Sequence, residues 1–136
     1  MSAPRYMLDT NICIYIARKQ PPALLSRFEK LKRGEAVLSI ITYGELRYGA
    51  AKSRQREAVL RYLDELVSLL PVQPLPVAAA EHYGIIRAQL EEKGRPIGGN
   101  DLWIAAHAVA EGLALVTNNT KEFSRIRELE VQNWVA

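Results

Sequence analysis

The sequence is poor in the residues that build several common kinds of site. It has one cysteine, Cys13, which excludes an internal disulfide and a cysteine-cluster zinc site. It has no apolar run near the roughly 20 residues of a membrane span. Its N-terminus reaches the acidic Asp9 too early for the apolar segment of a secretory signal. We therefore expect a protein of the reducing cytoplasm.

Motifs for nucleotide binding and for serine hydrolysis are absent as well. The sequence contains no Walker motif and no dinucleotide fingerprint, and it shows no Ser-His-Asp arrangement. Its two histidines are expected on a surface helix (His82) and in the core or at its edge (His107). With 136 residues, of which 49% are hydrophobic and 24% charged, the chain is expected to form one globular domain over 1–136.

Positive charge is concentrated in the first part of the chain. Residues 1–61 hold 12 Lys and Arg against 5 Asp and Glu, whereas residues 62–136 hold 6 against 10, for a net charge of +3. A basic half favours a polyanionic partner such as a nucleic acid. Solvated helix faces would produce the same pattern, so charge alone leaves both interpretations open.

Predicted strands alternate with predicted helices along the chain. Strands are expected at 6–8, 36–40, 72–75, 113–117 and 130–135. Helices are expected at 12–18, 23–33, from 42, and at 54–70, 77–93, 100–111 and 122–127. This alternation predicts an α/β fold with a parallel sheet covered by helices on both faces. Ligands of such sheets bind beyond the carboxyl ends of the strands.

Three acidic residues are predicted to meet at that rim of the sheet. Asp9 directly follows the first strand, Glu45 lies in the predicted first turn of the helix after the second, and Asp101 opens a buried helix. Asn119 and Glu122 follow the 113–117 strand. Each position also fits a helix cap, with Thr42 and Glu45 forming a capping box. Caps alone do not require acids to converge, so the coincidence favours a functional site.

Converging carboxylates point to a metal ion. Two carboxylates about 5 Å apart repel by roughly 3 kcal/mol at an effective dielectric of 20. Three would take up protons unless a cation lay among them. Oxygen ligands favour Mg²⁺ or Mn²⁺, which can activate water and neutralise a phosphodiester. A basic surround would then offset the repulsion between the acids and RNA. The candidates for that surround are Arg47, Lys52, Arg54, Arg56 and Arg95.

Four sequence blocks carry a resemblance to a known family. They are MLDTNI at 7–12, GEL at 44–46, GNDLWIAAHA at 99–108 and LVTNNTKEF at 115–123. In this order and at these separations they resemble the PIN-domain family and, within it, the VapC toxins of bacterial type II toxin–antitoxin pairs. The most similar subgroup includes enzymes that cut the anticodon loop of initiator tRNA.

The resemblance implies a fold, an activity and partners. It implies a small parallel sheet sandwiched by α-helices and an endoribonuclease that depends on Mg²⁺ or Mn²⁺. It also implies a homodimer held inactive by a VapB antitoxin, whose C-terminal segment crosses the active site. Contact with DNA would come only indirectly, through the antitoxin complex.

The resemblance also implies roles for individual residues. Asp9, Glu45 and Asp101 match the family's metal-binding acids. Three further positions match polar residues that hold those acids or a coordinated water: Thr10, Asn11 and Thr117. The frequent fourth acid of the family falls on Asn119 here, which removes one negative charge. Glu122, about one helical turn away, would either replace that acid or cap its helix.

Two other classes of protein compete with a nuclease. A non-catalytic PIN-like binding module would normally have lost some of the acids, whereas all three are present here. A phosphoacceptor receiver domain would need an acidic pair after the first strand and a lysine after a late strand. This chain has only Asp9 in its first loop, and Lys121 is poorly placed for that role.

Overall fold

The structure, a computed structural model, describes residues 3–135. Strands and helices alternate through most of this part of the chain. In chain order the elements are β1 (Tyr6–Leu8), α1 (Thr10–Ala17), α2 (Pro22–Glu29), β2 (Ala36–Ser39), α3 (Ile40–Lys52), α4 (Arg56–Leu69), β3 (Val72–Gln73), α5 (Val77–Glu92), α6 (Gly99–Glu111), β4 (Ala114–Val116), α7 (Thr120–Phe123) and β5 (Val131–Gln132).

The strands form one sheet in the order β3-β2-β1-β4-β5, and every pairing between neighbours is parallel. Strand β1 lies at the centre, where Tyr6 is opposite Ala36 of β2 on one side and Ala114 of β4 on the other. The predicted parallel α/β fold is therefore confirmed. Because all strands run in the same direction, their carboxyl ends share one edge, as the sequence pattern predicted.

The two faces of the sheet bury separate hydrophobic cores. Leu8 and Leu38 pack on one face with residues of α1 and α4, whereas Met7 and Val37 pack on the other with residues of α5 and α6. Successive side chains of a strand point to opposite faces, so strands covered on both faces are apolar at every position. Burial of both faces fixes the register of the central strands and hence the positions of the residues that follow them.

Several helix boundaries differ from the predicted ones, and α7, for example, covers Thr120–Phe123 instead of 122–127. Helix α3 begins at Ile40 and not near Thr42, because the Ser39 side chain accepts a hydrogen bond from the Ile41 amide at 3.1 Å and caps the helix. Helix α2 ends at Glu29, short of the predicted Arg33. In residues 3–135, no helix has both the length and the apolar character that a membrane crossing requires.

Candidate active site

Asp9, Glu45 and Asp101 line one small pocket at the carboxyl edge of the sheet. The pocket has a volume of about 150 Å³, and its other lining residues are Thr10, Asn11, Asn119 and Phe123. Four separate segments of the chain thus converge as the strand order predicts. Phe123 has no polar group to suggest a site residue, and sequence reasoning missed it.

Asp9 both lines the pocket and caps a helix. It directly follows β1, and its Oδ1 accepts a hydrogen bond from the Ile12 amide at 3.0 Å, which caps α1. Burial raises the pKa of Asp9, and the negative charge of Glu45 adds to that effect. Hydrogen bonds from the Thr117 hydroxyl and from the Ile12 amide oppose it. The capping and functional interpretations of Asp9 are therefore compatible.

Glu45 belongs to the second turn of α3. The alternative interpretation of Thr42 and Glu45 as a capping box was wrong, because Ser39 caps this helix and Glu45 faces the pocket. The Thr10 hydroxyl donates a hydrogen bond of 2.5 Å to the Glu45 Oε1. This bond joins the start of α1 to α3 and holds the carboxylate beside Asp9.

Asp101 is the third residue of α6 and does not cap it, since the cap position is occupied by Gly98. Partial burial raises the pKa of Asp101 to about 6, and the negative charges of Glu122, Glu45 and Asp9 add to the shift in that order. The N-terminus of a helix favours an ionised carboxylate and thus a lower pKa. At Asp101, burial and the neighbouring acids outweigh that effect, and the pKa is raised. The pocket lining contains no positively charged side chain to balance the three acids. This uncompensated negative charge favours the binding of a positive ion.

Asn119 and Glu122 are joined to each other and to the start of α6. The Asn119 Nδ2 donates to the Glu122 Oε2 at 3.1 Å, and the Gly98 amide donates to the Glu122 Oε1 at 3.3 Å. Asn119 occupies the cap position of α7 but makes no side-chain capping bond, so the alternative interpretation of this residue as a side-chain cap was wrong. Glu122 does not line the pocket, although its charge acts on Asp101.

Thr117 lies behind the pocket. It is fully buried, its hydroxyl hydrogen-bonds to Asp9, and its Oγ1 accepts a hydrogen bond from the Asn119 amide at 2.9 Å. It thus joins the loop after β4 to the loop after β1. Of the polar residues predicted around the acids, three line the pocket (Thr10, Asn11 and Asn119) and two lie outside its lining (Thr117 and Glu122).

The donor set of the pocket suits a hard, partly hydrated cation. Its polar side chains are carboxylates, an alcohol and amides, without histidine or cysteine. Within residues 3–135, no three Asp, Glu, His or Cys side chains are close enough to bind one ion together. Mg²⁺ keeps several waters and commonly binds one or two carboxylates directly. The side chains of the pocket would suit an ion that one or two of the acids bind directly.

Comparisons with known proteins identify the family to which this chain belongs. The PIN domain family model matches residues 6–129. Ribonuclease VapC2 of Haemophilus influenzae Rd is 44% identical over 131 residues, which cover 96% of this chain and 98% of the relative. The chain belongs to the VapC ribonucleases of the PIN-domain family. Ribonucleases of this family generally depend on a divalent metal ion.

Other members of the family bear more specific names. The tRNA(fMet)-specific endonuclease VapC of Shigella flexneri is 44% identical over 130 residues, covering 96% of this chain and 98% of the relative. The crystal structure of VapBC2 from Rickettsia felis, bound to a DNA fragment from its promoter, superposes with a TM-score of 0.90 at 44% identity. That match covers 95% of this chain and 98% of the other. The PIN fold predicted from the four sequence blocks is therefore confirmed.

The five predicted RNA-binding residues are exposed and lie outside the acidic pocket. Arg47 and Lys52 lie in the second half of α3, Arg54 lies in the loop that follows it, and Arg56 begins α4. Arg95 lies apart from them, in the loop between α5 and α6. Arg61, which sequence reasoning missed, lines the same open surface as Arg54 and Arg56. The structure thus gathers one basic surface (Arg54, Arg56 and Arg61) at the start of α4.

A larger apolar groove adjoins the acidic pocket. It has a volume of about 690 Å³, lies between α1, α3 and α4, and is lined by residues that include Ile14, Leu46 and Tyr62. Thr10 and Glu45 line both the groove and the acidic pocket.

Proposed function

We propose that this chain is the endoribonuclease toxin of a VapBC toxin–antitoxin pair, formed by one PIN domain over 1–136. The observation that supports it most directly is the convergence of Asp9, Glu45 and Asp101 in one pocket at the carboxyl edge of the sheet. Initiator tRNA is the first substrate to test. Two relatives, at 44% and 42% identity, are named tRNA(fMet)-specific endonucleases.

The proposed cofactor is Mg²⁺ or Mn²⁺. Asp9 and Asp101 would hold the ion directly, and Glu45 would bind it through a water molecule or orient the attacking water. When bound, a divalent ion supplies charge neutralisation at the phosphodiester and activation of water. The oxygen-only donor set and the raised pKa of Asp101 support this proposal.

The surrounding residues hold the acids in place. The Thr10 hydroxyl fixes Glu45, while the Ile12 amide and the Thr117 hydroxyl fix Asp9. Such positioning lowers the entropy lost when the reacting groups are brought together. In-line attack of water on a phosphodiester with release of the 3′-oxygen leaves a 5′-phosphate and a 3′-hydroxyl, and these are the product ends that we propose.

We assign the apolar groove to the VapB antitoxin. Structural neighbours with TM-scores of 0.90 and 0.88 are VapBC complexes, and a groove of about 690 Å³ beside the acidic pocket can hold an apolar peptide segment. A segment that lies there also reaches Thr10 and Glu45. We further propose a homodimer, with DNA bound only through the antitoxin.

We assign RNA backbone contacts to the basic surface at the start of α4, with Arg47, Lys52 and Arg95 as further candidates. Arg54, Arg56 and Arg61 line one open surface, and the charge of such a surface favours a polyanion. Arg56 donates a hydrogen bond of 2.8 Å to the Ala51 carbonyl. That bond orients its guanidinium while leaving further donors for phosphate.

The test compares RNA cleavage by the purified native protein with cleavage by its Asp9→Asn variant. We expect the native protein to cut RNA in Mg²⁺ or Mn²⁺, to stop in EDTA, and to leave the ends given above. Asp9→Asn should abolish cleavage and growth arrest in cells while keeping the fold, because asparagine caps a helix as well as aspartate does. Asp64→Asn, the same change at an exposed position of α4, should behave as the native protein does. Full activity in Asp9→Asn, together with activity in EDTA, would refute the proposal.

A further inference from the structure

A fully buried hydrogen bond joins α6 to the start of α3. The Nδ1 of His107 on α6 lies 2.8 Å from the Oγ of Ser39, and neither residue is exposed to solvent. The same Ser39 hydroxyl accepts the Ile41 amide and caps α3. One side chain therefore fixes where α3 begins and also holds it to α6.

Hydrophobic packing alone does not account for His107. In residues 3–135, its Nε2 and the Oγ1 of Thr42 are buried without hydrogen-bond partners. A buried polar atom without a partner destabilises the fold, whereas a leucine at such a position would avoid that cost. Burial lowers the pKa of His107 and outweighs the opposite effect of Glu111, so the imidazole is neutral. The buried, unpaired Nε2 of His107 therefore has a cost to stability that an apolar side chain would not have.

The two helices that this bond joins carry two of the three pocket acids. Glu45 follows Ser39 by six residues along α3, and Asp101 precedes His107 by six residues along α6. At a rise of 1.5 Å per residue, about 9 Å of helix separates the bond from each acidic residue. Helices α3 and α6 pack directly on each other. A shift of one helix along the other would therefore move Glu45 relative to Asp101.

We propose that His107 is a positioning residue that, through Ser39, sets the spacing of the Asp101 and Glu45 carboxylates for ion binding. The inference rests on the proposed function, because it assigns those carboxylates to a divalent ion. His107 lies outside the pocket lining and acts only through the helix that carries Asp101. Residues that hydrogen-bond directly to metal ligands typically contribute about 10- to 100-fold to metal affinity or activity, and we take that range as the expectation for a residue that holds the helix carrying a ligand.

The test compares the native protein with His107→Leu and His107→Asn. Mn²⁺ affinity is measured by calorimetry, kcat and KM by RNA cleavage, and folding by thermal denaturation. We expect His107→Leu to lose about 10- to 100-fold in Mn²⁺ affinity and in kcat, with KM for RNA and Tm little changed. Asparagine can place an amide where Nδ1 lies, so His107→Asn should recover most of the loss. His82→Leu on α5, the matched control, should behave as the native protein does.

A second variant removes the bond from its other end. Glycine is a tolerated helix cap, so Ser39→Gly removes the hydroxyl at little cost to α3 and serves if His107→Leu does not fold. It should reproduce the losses of His107→Leu, and the double variant should be no worse than either.

Native Mn²⁺ affinity and kcat in His107→Leu or Ser39→Gly would overturn the inference. So would equal losses in His107→Leu and His107→Asn that follow a fall in Tm, since they indicate a purely structural role. A native protein that neither binds Mn²⁺ nor cleaves RNA would contradict the proposed function instead.

Discussion

Replacing Asp101 by asparagine should stabilise the metal-free protein. Burial and three neighbouring acids raise the pKa of Asp101 from 3.8 to about 6. The native state therefore holds a proton on Asp101 more tightly than the unfolded state does. The contribution of Asp101 to the free energy of unfolding is fully present below about pH 4, and it is lost as the pH rises through 6. Above that pH the ionised side chain destabilises the fold, and the neutral asparagine does not.

The size of this effect follows from the shift. Two pKa units correspond to about 3 kcal/mol, and solvent screening of a half-buried group reduces this to about 1–2 kcal/mol. For a domain of this length, 1 kcal/mol changes Tm by roughly 4 °C. Asp101→Asn should therefore raise the Tm of the EDTA-treated protein at pH 8 by roughly 4–8 °C, with a difference that shrinks towards pH 5.

The assay is thermal unfolding in EDTA from pH 5 to pH 8. Asp64→Asn, at an exposed position of α4, controls for the loss of one negative charge. Addition of Mn²⁺ should stabilise the native protein more than it stabilises Asp101→Asn, because a ligand that binds only the folded state raises its stability. If Asp101→Asn is no more stable than the native protein at pH 8, or if its advantage is the same at pH 5, the reasoning is wrong.

Two further predictions concern the hydroxyl beside Glu45 and the basic surface. Thr10→Val should reduce kcat by about 10- to 100-fold with the fold intact, because Glu45 loses its hydrogen bond, whereas Thr10→Ser should keep most of the activity. Equal activity of valine and serine at this position would contradict that role. Arg54→Ala with Arg61→Ala should weaken RNA binding and lower the slope of log K against log salt by about one unit per lost phosphate contact. The exposed Arg127→Ala is the control, and an unchanged slope in the double variant would exclude phosphate contacts there.

The sheet could be predicted well because its strands are buried on both faces. Every residue from Ala36 to Ser39 is buried, and such short apolar runs, separated by helical segments, indicate parallel strands. The order of the strands places Asp9 near Asp101 before any side chain is considered. The convergence of the acids could thus be predicted from topology alone.

Boundaries and side-chain contacts could not be predicted in the same way. Ser39 and Thr42 are both good capping residues, and only the end of β2 decides that Ser39 caps α3. The bond from Thr10 to Glu45 spans 35 residues and depends on the distance between two helices. The Asn119 side chain bonds to Glu122 and does not cap α7, and the same carboxylate accepts the Gly98 amide, which lies 24 residues away in the sequence.

Two walls of the acidic pocket, Thr10 and Glu45, are also walls of the apolar groove. A peptide in the groove that drew Glu45 away from Thr10 would therefore change the affinity of the pocket for the proposed ion. Thermodynamic linkage requires the ion to change the peptide's affinity by the same factor. Release of the antitoxin and binding of the ion would then be thermodynamically coupled. The cellular concentration of free divalent ion would therefore help to determine the fraction of the toxin that is active.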